Sequence, residues 1–369
     1  MRSAQDVIAA DLDYICRGLD DELTTMAGKD LLIVGGAGFL GYYLVQAILH
    51  WNKVGGFTPI RLTVYDNYVR GMPDWLISLK DDPNLRIRKH DVTEPLPKDF
   101  GDVQFIVHAA SIASPMFYRK YPIETMDANV NGLRILLEYC KSRLQSDRQV
   151  EGFLFFSTSE IYGDPPPESI PTPETYRGNV SCVGPRACYD ESKRYGETLC
   201  VNFAQQYGIP IKVARPFNNY GPGLKISDRR VIPDFARDVL SGRDIVMLSD
   251  GSPTRTFCYI ADAIIGYYKI LVKGRAGEAY NIGIEEPEIS MATIADKIVA
   301  ISSELFSYKG KVVRKQSEDL AYLTDNPNRR CPIIEKARAE LGYHPRVSID
   351  DGLLRSLVWY QANAVGEDA

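Results

Sequence analysis

Three glycines at three-residue spacing lie between an apolar run and a helical pattern near the start of the chain. The run Leu31–Val34 is short and continuously apolar, which is typical of a strand buried on both faces of a parallel sheet. Gly35, Gly38 and Gly41 follow it, and residues 42–50 have the spacing of a helix. Glycine permits a tight turn and a close approach of the backbone to its neighbours. This order of strand, turn and helix predicts the first βα unit of an α/β fold.

Five further apolar runs continue the alternation of strand and helix. The predicted strands lie at 61–66, 85–88, 105–109, 153–157 and 211–215. Helical patterns stand between them, notably at 123–145 and 189–207. Strands that alternate with helices imply right-handed crossovers between parallel strands. We therefore expect an α/β fold with a doubly wound parallel sheet of the Rossmann type.

The chain divides into three regions by pattern. Residues 1–27 carry apolar positions at helical spacing and predict a helical extension that packs on the body or on another subunit. Residues 28–217 hold the alternating units and predict a dinucleotide-binding Rossmann domain. After a loop rich in Gly, Pro and Asn, residues 218–369 predict a smaller mixed α/β substrate lobe that includes a short strand at 279–282. Within that lobe, 257–272 are expected to return to the first domain.

Composition and charge narrow the class of protein. The 369 residues carry a net charge of −5 and 45% hydrophobic residues, which is ordinary for a soluble globular chain and argues against nucleic acid as a partner. The seven cysteines form no CxxC pair, and the four histidines show no metal-ligand spacing, so we expect reduced thiols in the cytoplasm and no metal site. The N-terminus lacks an apolar signal core, and no segment is long enough to predict a membrane span.

The glycine turn and the next strand predict a cofactor site. A helix N-terminus supplies positive dipole, and the glycines let the backbone approach a pyrophosphate. Asp66, at the end of the second strand, is placed to accept hydrogen bonds from the adenosine ribose and would repel a 2′-phosphate, which favours NAD over NADP. Arg70 is close enough to blur that preference, although a surface or substrate role is an alternative. Asp91 is a candidate for the adenine amine or an ordinary turn aspartate.

Tyr189 and Lys193 predict an acid/base pair. They are four residues apart, so on a helix they project from the same face. A nearby ammonium favours the phenolate, and we therefore expect Lys193 to lower the pKa of Tyr189. Glu160 is two residues beyond Thr158, and an extended segment would point both side chains to one face.

With these features in place, the chain resembles the extended short-chain dehydrogenase/reductase superfamily from about residue 30 to 360, and within it the UDP-glucuronate decarboxylases. The motifs that carry the resemblance are Ala113-Ser114-Pro115 with Tyr118, Ser157–Pro165, Gly178-Asn179-Val180, Gly184–Glu191, Asp250–Phe257 and Arg330-Cys331-Pro332. Two positions depart from the decarboxylase pattern, Ser192 in place of glycine and Gly223 in place of arginine. Asn218–Pro222 looks more like the nucleotide-sugar 4,6-dehydratases.

The resemblance implies a reaction cycle that starts at C4 of a nucleotide sugar. Tyr189 would take the C4 hydroxyl proton while hydride passes from C4 to NAD, Thr158 would hydrogen-bond the same oxygen, and Lys193 would hold the nicotinamide ribose. In UDP-glucuronate the 4-ketone is β to the carboxylate, so carbon dioxide is lost, and the stored hydride then returns to C4. Glu160 would help at C5, and Arg330 would lie near the sugar carboxylate.

The same resemblance implies the remaining site residues. The expected cofactor contacts are Gly35, Gly38, Phe39, Leu40, Gly41, Asp66, Asn67, Asp91, Val92, Ala109, Ser157, Tyr189, Lys193 and Pro216. The expected substrate contacts are Ser114, Tyr118, Asn179, Arg186, Asn218, Arg230, Arg255 and Arg330. Each arginine has a surface ion pair as its alternative role, and each asparagine has loop capping. A homodimer formed by the helices at 123–145 and 189–207 is expected as well.

Three other functions stay open from the sequence. A 4,6-dehydratase of the dTDP-glucose type has an acid directly after the threonine, and Ser159 is a poor general acid, which disfavours that elimination. GDP-mannose dehydratases also look like Thr-Ser-Glu, however. A 4-epimerase and a dinucleotide-binding protein without turnover are the others, and a protein that only binds has no need of the groups around Tyr189.

Overall fold

The computed structural model describes residues 3–315 and 327–363. Its strands are β1 Asp30–Val34, β2 Arg61–Asp66, β3 Leu85–Lys89, β4 Phe105–His108, β5 Gly152–Phe156, β6 Ile211–Pro216, β7 Asn219–Tyr220, β8 Ile245–Met247, β9 Thr254–Arg255, β10 Cys258–Tyr259, β11 Ala279–Ile282, β12 Ile289–Ser290, β13 Val312–Arg314 and β14 Arg329–Arg330. Its helices are α1 Ala4–Gly18, α2 Asp20–Met26, α3 Phe39–Val54, α4 Asp74–Ile77, α5 Pro115–Lys120, α6 Pro122–Asp127, α7 Leu133–Ser142, α8 Ala187–Tyr207, α9 Val231–Leu240, α10 Ile260–Lys273, α11 Met291–Phe306, α12 Glu335–Leu341 and α13 Ile349–Asn363.

Seven parallel strands form the main sheet in the order β11-β6-β5-β4-β1-β2-β3. The chain starts in the middle of the sheet, fills one edge with β2 and β3, and then returns to fill the other. One apolar cluster covers the face beneath α1, α3 and α10, and a second covers the opposite face beneath α7 and α8. The predicted doubly wound α/β fold is confirmed, and the predicted strands β1 to β6 are all present.

β11 lies at the edge of the main sheet, although the sequence pattern placed residues 279–282 in the smaller lobe. It pairs with β6 across more than sixty residues of chain, with Ala279 opposite Val213. A pairing between such distant segments is set by tertiary contacts, and no local pattern reveals it. The strands outside the main sheet form short ladders, in which β9 pairs with β12 and β14, β8 with β13, and β7 with β10. The domain boundaries themselves stay a prediction.

Two predicted helices are interrupted. The helical extension predicted at 1–27 contains two helices, α1 and α2, which are separated at Leu19. A Cβ added at Gly18 would lie 2.7 Å from the side chain of Ile265, so glycine allows the close packing of α1 on α10 there. The helix predicted at 123–145 contains a π-helical turn at Ala128–Gly132. Two asparagines and a glycine in this turn favour helix poorly.

Candidate functional site

The glycine turn joins β1 to α3 as predicted, and its geometry requires glycine. Gly35 has a φ of +82°, and a Cβ there would lie 2.4 Å from the backbone nitrogen of Ala110. A Cβ at Gly41 would lie 2.0 Å from the carbonyl oxygen of Gly36. Gly38 precedes α3 without a side-chain cap, so the first N–H groups of the helix, at Phe39 and Leu40, have no partner within it. This turn fits a pyrophosphate at the helix N-terminus.

Asp66 ends β2 beside the glycine turn. Its carboxylate accepts hydrogen bonds from the backbone N–H of Ala37 at 3.0 Å and of Tyr68 at 2.8 Å. Burial raises the pKa of Asp66 from its ordinary value, and these two hydrogen bonds oppose that shift. Asn67 donates to Asp91 at 2.9 Å, which places three of the expected adenosine contacts at one end of the sheet. The geometry suits an adenosine ribose without a 2′-phosphate.

The other expected cofactor residues follow the carboxyl ends of neighbouring strands. Ala109 follows β4, Ser157 follows β5, and Pro216 ends β6. Val92 is buried beyond β3. Ligands of open α/β sheets bind at this edge, so the position of these residues is compatible with a dinucleotide that crosses the strand ends.

Tyr189 and Lys193 lie on α8, one turn apart, as predicted. Both are buried, and the ammonium nitrogen of Lys193 lies 5.8 Å from the centre of the Tyr189 ring. Lys193 Nζ donates to the carbonyl of Phe156 at 2.7 Å. Tyr118 on α5 stacks on Tyr189 with ring centres 5.1 Å apart. Its hydroxyl is buried and hydrogen-bonds no other residue in the described part of the chain, which suits a contact with a bound ligand.

The expected effect of Lys193 on the pKa of Tyr189 is wrong for this structure. Burial raises the pKa of Tyr189 to about 12, and a hydrogen bond with Thr158 opposes the shift. Burial also lowers the pKa of Lys193 itself, to about 7. Desolvation disfavours both charged forms, and it is the largest cause of each pKa shift.

Thr158 and Glu160 do not lie on an extended segment, which corrects the reason given for their proximity. Thr158 caps a 3₁₀ turn at Ser159–Tyr162 and accepts a hydrogen bond from the backbone N–H of Glu160 at 3.2 Å. The tight turn brings Glu160 close enough to influence the pKa of Tyr189. The two residues are thus placed together by a turn and not by strand alternation.

Glu160 is held between two arginines from distant parts of the chain. Arg186 and Arg330 both donate to its carboxylate, and one bond from Arg330 measures 2.8 Å. Burial opposes ionisation, but the charge of Arg330, followed by that of Arg186, lowers the pKa of Glu160 to about 2. Arg255 is buried beside them and donates to backbone carbonyls of Asn328 and Pro327. Arg186 also pairs with the buried carboxylate of Asp190 at 3.7 Å. Three guanidinium groups thus lie near two carboxylates, which leaves a net positive charge suited to an anionic ligand.

Asp228 joins further expected substrate residues. Its buried carboxylate accepts from Arg230 at 3.0 Å and from Arg70 at 2.8 Å, and its backbone carbonyl accepts from Ser114 at 3.3 Å. Arg70 also lies over the ring of Phe117. In this structure Arg70 is thus bound to Asp228, which favours its substrate-side alternative over a 2′-phosphate contact.

The two expected asparagine contacts lie in loops. Asn179 is exposed, and its amide donates to the carbonyl of Asp164 at 3.2 Å. Asn218 has a φ of +42° and donates to the carbonyl of Thr256 at 2.9 Å. Both bonds correspond to the loop-capping alternative, and a ligand contact for either residue stays a prediction.

Sequence reasoning missed Glu197, Arg215 and Asp228. Glu197 accepts from the hydroxyl of Ser157 and from Arg215. Its position four residues after Lys193 on α8 is a signal that helical spacing alone could have supplied. The contacts of Asp228 with Arg70 and Ser114 have no comparable local signal, because those two residues are more than a hundred positions away in sequence.

Ser192, which stands where the decarboxylase pattern has glycine, makes two hydrogen bonds. Its hydroxyl accepts from the amide of Asn129 at 2.9 Å and donates to the carbonyl of Tyr189 at 3.0 Å. The extra side chain therefore joins the π-helical turn to the backbone of α8.

In residues 3–315 and 327–363, no three metal-ligating side chains come together. No helix in the same ranges has the length and apolar character of a membrane span.

Comparison with known proteins identifies relatives along nearly the whole chain. The model of the NAD dependent epimerase/dehydratase family matches residues 31–283. UDP-glucuronic acid decarboxylase 6 of Arabidopsis thaliana is 38% identical over 323 residues, which cover 88% of this chain and 86% of the relative. UDP-glucuronic acid decarboxylase 1 of Xenopus tropicalis is 33% identical over 335 residues, which cover 90% and 72%.

Solved structures with the same fold include enzymes of several activities. A dTDP-glucose 4,6-dehydratase from Streptomyces venezuelae, solved with NAD, has a TM-score of 0.75 and 26% identity, with 90% of this chain and 97% of that chain covered. A UDP-glucuronic acid 4-epimerase from Bacillus cereus, solved with UDP-glucuronic acid and NAD, has a TM-score of 0.72 and 25% identity, with 90% and 99% covered. The fold, the glycine turn and these matches agree, and the chain belongs to the NAD dependent epimerase/dehydratase family.

Proposed function

We propose that this protein is a UDP-glucuronate decarboxylase, which converts UDP-glucuronate to UDP-xylose and carbon dioxide by transient oxidation at C4. The observation that carries the proposal is the cluster of Glu160, Arg186 and Arg330 beside Tyr189. It offers cationic groups for a carboxylate next to the acid/base tyrosine. The relatives named as decarboxylases support it across most of the chain.

NAD fits the residues that would hold it. The glycine turn would bind the pyrophosphate, and Asp66 would accept from the adenosine ribose. Tyr189 and Lys193 reach the site from α8, on the substrate side of the strand ends. Bound NAD supplies the acceptor for the hydride of C4 and later returns it.

Tyr189 is the proposed acid/base residue. Its hydroxyl would take the proton of the C4 hydroxyl during oxidation and give it back during reduction. Thr158, already hydrogen-bonded to Tyr189, would hold the same substrate oxygen. Because burial keeps Tyr189 protonated, added positive charge in the assembled site has to favour the phenolate.

The arginines would bind and orient the carboxylate of the sugar. Oxidation at C4 makes the sugar a β-keto acid, and the C5–carboxylate bond breaks because the ketone accepts the electron pair. A proton must then reach C5. Arg330 would orient the carboxylate before it leaves, and Arg186, Arg230 and Arg255 would bind carboxylate or diphosphate oxygens.

A panel of nucleotide sugars tests the proposal. Purified protein with NAD is expected to convert UDP-glucuronate to a UDP-pentose with release of carbon dioxide, as measured by mass spectrometry. A 4-epimerase would leave the mass unchanged, and the epimerase of similar fold that binds UDP-glucuronic acid makes this the leading alternative. Loss of water from a nucleotide hexose would indicate a 4,6-dehydratase. Either result would replace the decarboxylase assignment.

We also propose a homodimer in the cytoplasm. The helices at 123–145 and 189–207 expose Ile123, Met126 and Tyr195 to 63%, 41% and 53%, which suits a helix-bundle interface. All seven cysteines are free thiols, which suits a reducing compartment.

A further inference from the structure

A buried chain of hydrogen bonds runs behind the site. The hydroxyl of Ser157 donates to Glu197 at 2.5 Å, and Arg215 donates to both oxygens of Glu197, at 2.9 and 2.5 Å. Arg215 also donates to the hydroxyl of Tyr162 at 2.8 Å, and that hydroxyl donates to Asn281 at 2.7 Å. These hydrogen bonds link β5, α8, β6 and β11, and their residues have little exposure to solvent.

Glu160 and Arg330 both lie on backbone segments that these hydrogen bonds hold in place. Tyr162 is two residues beyond Glu160, in the same 3₁₀ turn. The amide of Asn281 donates to the carbonyls of Thr172 and Ile333, each at 3.0 Å. Ile333 is three residues beyond Arg330, and its own N–H donates to Thr172 at 2.9 Å. One network therefore fixes the backbone on the carboxylate side and on the guanidinium side.

The same network is anchored on the acid/base side. Glu197 lies on α8 on the same face as Lys193 and Tyr189, at four-residue steps. Ser157, which it binds, directly precedes Thr158. A bidentate pair of arginine and carboxylate defines direction as well as distance, so it is suited to hold two elements in register.

We propose that Ser157, Glu197, Arg215, Tyr162 and Asn281 form a positioning network that holds the Glu160–Arg330 pair in register with Thr158 and Tyr189. Among the hydrogen bonds described, none joins these five residues to the side chain of Glu160. The network acts through the backbone of the 3₁₀ turn and of the segment after β14. The identity of the substrate carboxylate rests on the proposed function, whereas the geometry of the network does not.

The test compares two buried tyrosine hydroxyls. Tyr162→Phe removes one oxygen from the network. Tyr268→Phe is the matched control, because Tyr268 is also fully buried and donates to the carbonyl of Leu44 at 2.6 Å, away from the site. Both variants should lose a similar amount of thermal stability. Only Tyr162→Phe should lower kcat, by roughly tenfold or more, since small displacements of reacting groups are costly.

Binding supplies a readout that is independent of turnover. UDP lacks the sugar, so its affinity should change less than about twofold in Tyr162→Phe, within the usual scatter for a remote substitution. The affinity for UDP-glucuronate should fall more than that for UDP. Arg215→Lys retains the charge opposite Glu197 but loses the fork, and it should shift kcat in the same direction as Tyr162→Phe.

The outcomes separate this proposal from the proposed function. If the wild-type protein converts another nucleotide sugar, the comparison is made with that sugar, and a selective loss in Tyr162→Phe still supports the network. Equal kcat values for Tyr162→Phe and Tyr268→Phe, per folded and NAD-loaded site, would overturn it.

Discussion

At the scale of single residues, the ionisation of Glu160 constrains the proposed chemistry. Because Arg330 and Arg186 lower its pKa to about 2, Glu160 is a carboxylate at neutral pH and has no proton to give. For Glu160 to act as an acid at C5, one of its two arginines would first have to leave it and bind the carboxylate of the sugar instead. The substrate itself would then release Glu160, and its pKa would rise as it lost a cationic partner.

Tyr189→Phe tests the acid/base role. The change removes the hydroxyl that would exchange a proton with C4, while the ring can still stack on Tyr118. We expect turnover to fall by about 10³-fold or more, which is within the range lost when a general acid/base is removed. NAD should remain bound, as measured by its absorbance after release from the denatured protein. Substantial turnover in this variant would remove Tyr189 from the mechanism.

Lys193→Met tests the effect of burial on the lysine. Its pKa is about 7 in the folded protein, below the ordinary 10.5. Between these values the unfolded chain binds more protons, so the free energy of unfolding rises with pH. The cost of burying the charged ammonium is absent above pH 10.5, and it grows as the pH falls to 7. Relative to wild type, the variant should therefore be most stable near pH 7 and lose its advantage toward higher pH.

Urea unfolding of the NAD-free protein at several pH values measures this difference. Lys212→Met is the matched control, because Lys212 is also buried and its pKa is lowered to about 8. Its advantage should begin to decline about one pH unit higher. A stability difference that does not vary with pH for Lys193→Met would contradict the assignment.

At the scale of elements, the N-terminal helix α1 is bound to the body by a buried carboxylate. Asp11 accepts from Tyr43 on α3 at 2.5 Å, from Tyr259 at 2.6 Å and from Arg355 on α13 at 2.6 Å. A second tie joins Tyr14 to Asp262 on α10 at 2.6 Å. The extension thus packs on the body of its own chain, and it connects helices from both halves of the sequence.

Asp11→Asn tests this tie. The amide cannot neutralise Arg355, and it leaves donors of the tyrosines poorly satisfied, so the free energy of unfolding should fall by about 2–3 kcal/mol. Denaturant unfolding measures the change. Asp13→Asn is the control, since Asp13 is largely exposed and pairs only with His50 among the described contacts. It should change stability by less than about 0.5 kcal/mol, and equal losses in both variants would contradict the role of Asp11.

At the scale of the whole molecule, the exposed apolar side chains on α6 and α8 bear on assembly. If they form the proposed dimer interface, Ile123→Glu combined with Tyr195→Glu would place charges in a desolvated contact and should give a monomer. Light scattering coupled to size-exclusion chromatography measures the mass. Val54→Glu is the control, because Val54 is as exposed as Ile123 but lies at the end of α3. A wild-type monomer, or a double variant that stays dimeric, would contradict this interface.

The features that the sequence predicted correctly are local. The first six strands, the glycine turn between β1 and α3, and the shared face of Tyr189 and Lys193 all depend on residues within a few positions of one another. Backbone sterics and the periods of strand and helix act over that range. The family resemblance extended the prediction to Arg330 and Arg186, because motif residues keep their spacing along the chain.

The remaining features depend on packing between distant segments. β11 joined the main sheet, Glu160 met an arginine 170 positions away, and Asp228 met Arg70 from the other side of the site. The shift of the Tyr189 pKa is also opposite to the predicted one, because burial is a property of the folded molecule. By itself, the sequence determined the order of the elements and the types of reactive groups. Only the tertiary structure decided which charges meet and how far they are desolvated, because Coulomb energy and hydration depend on distance in space and not along the chain.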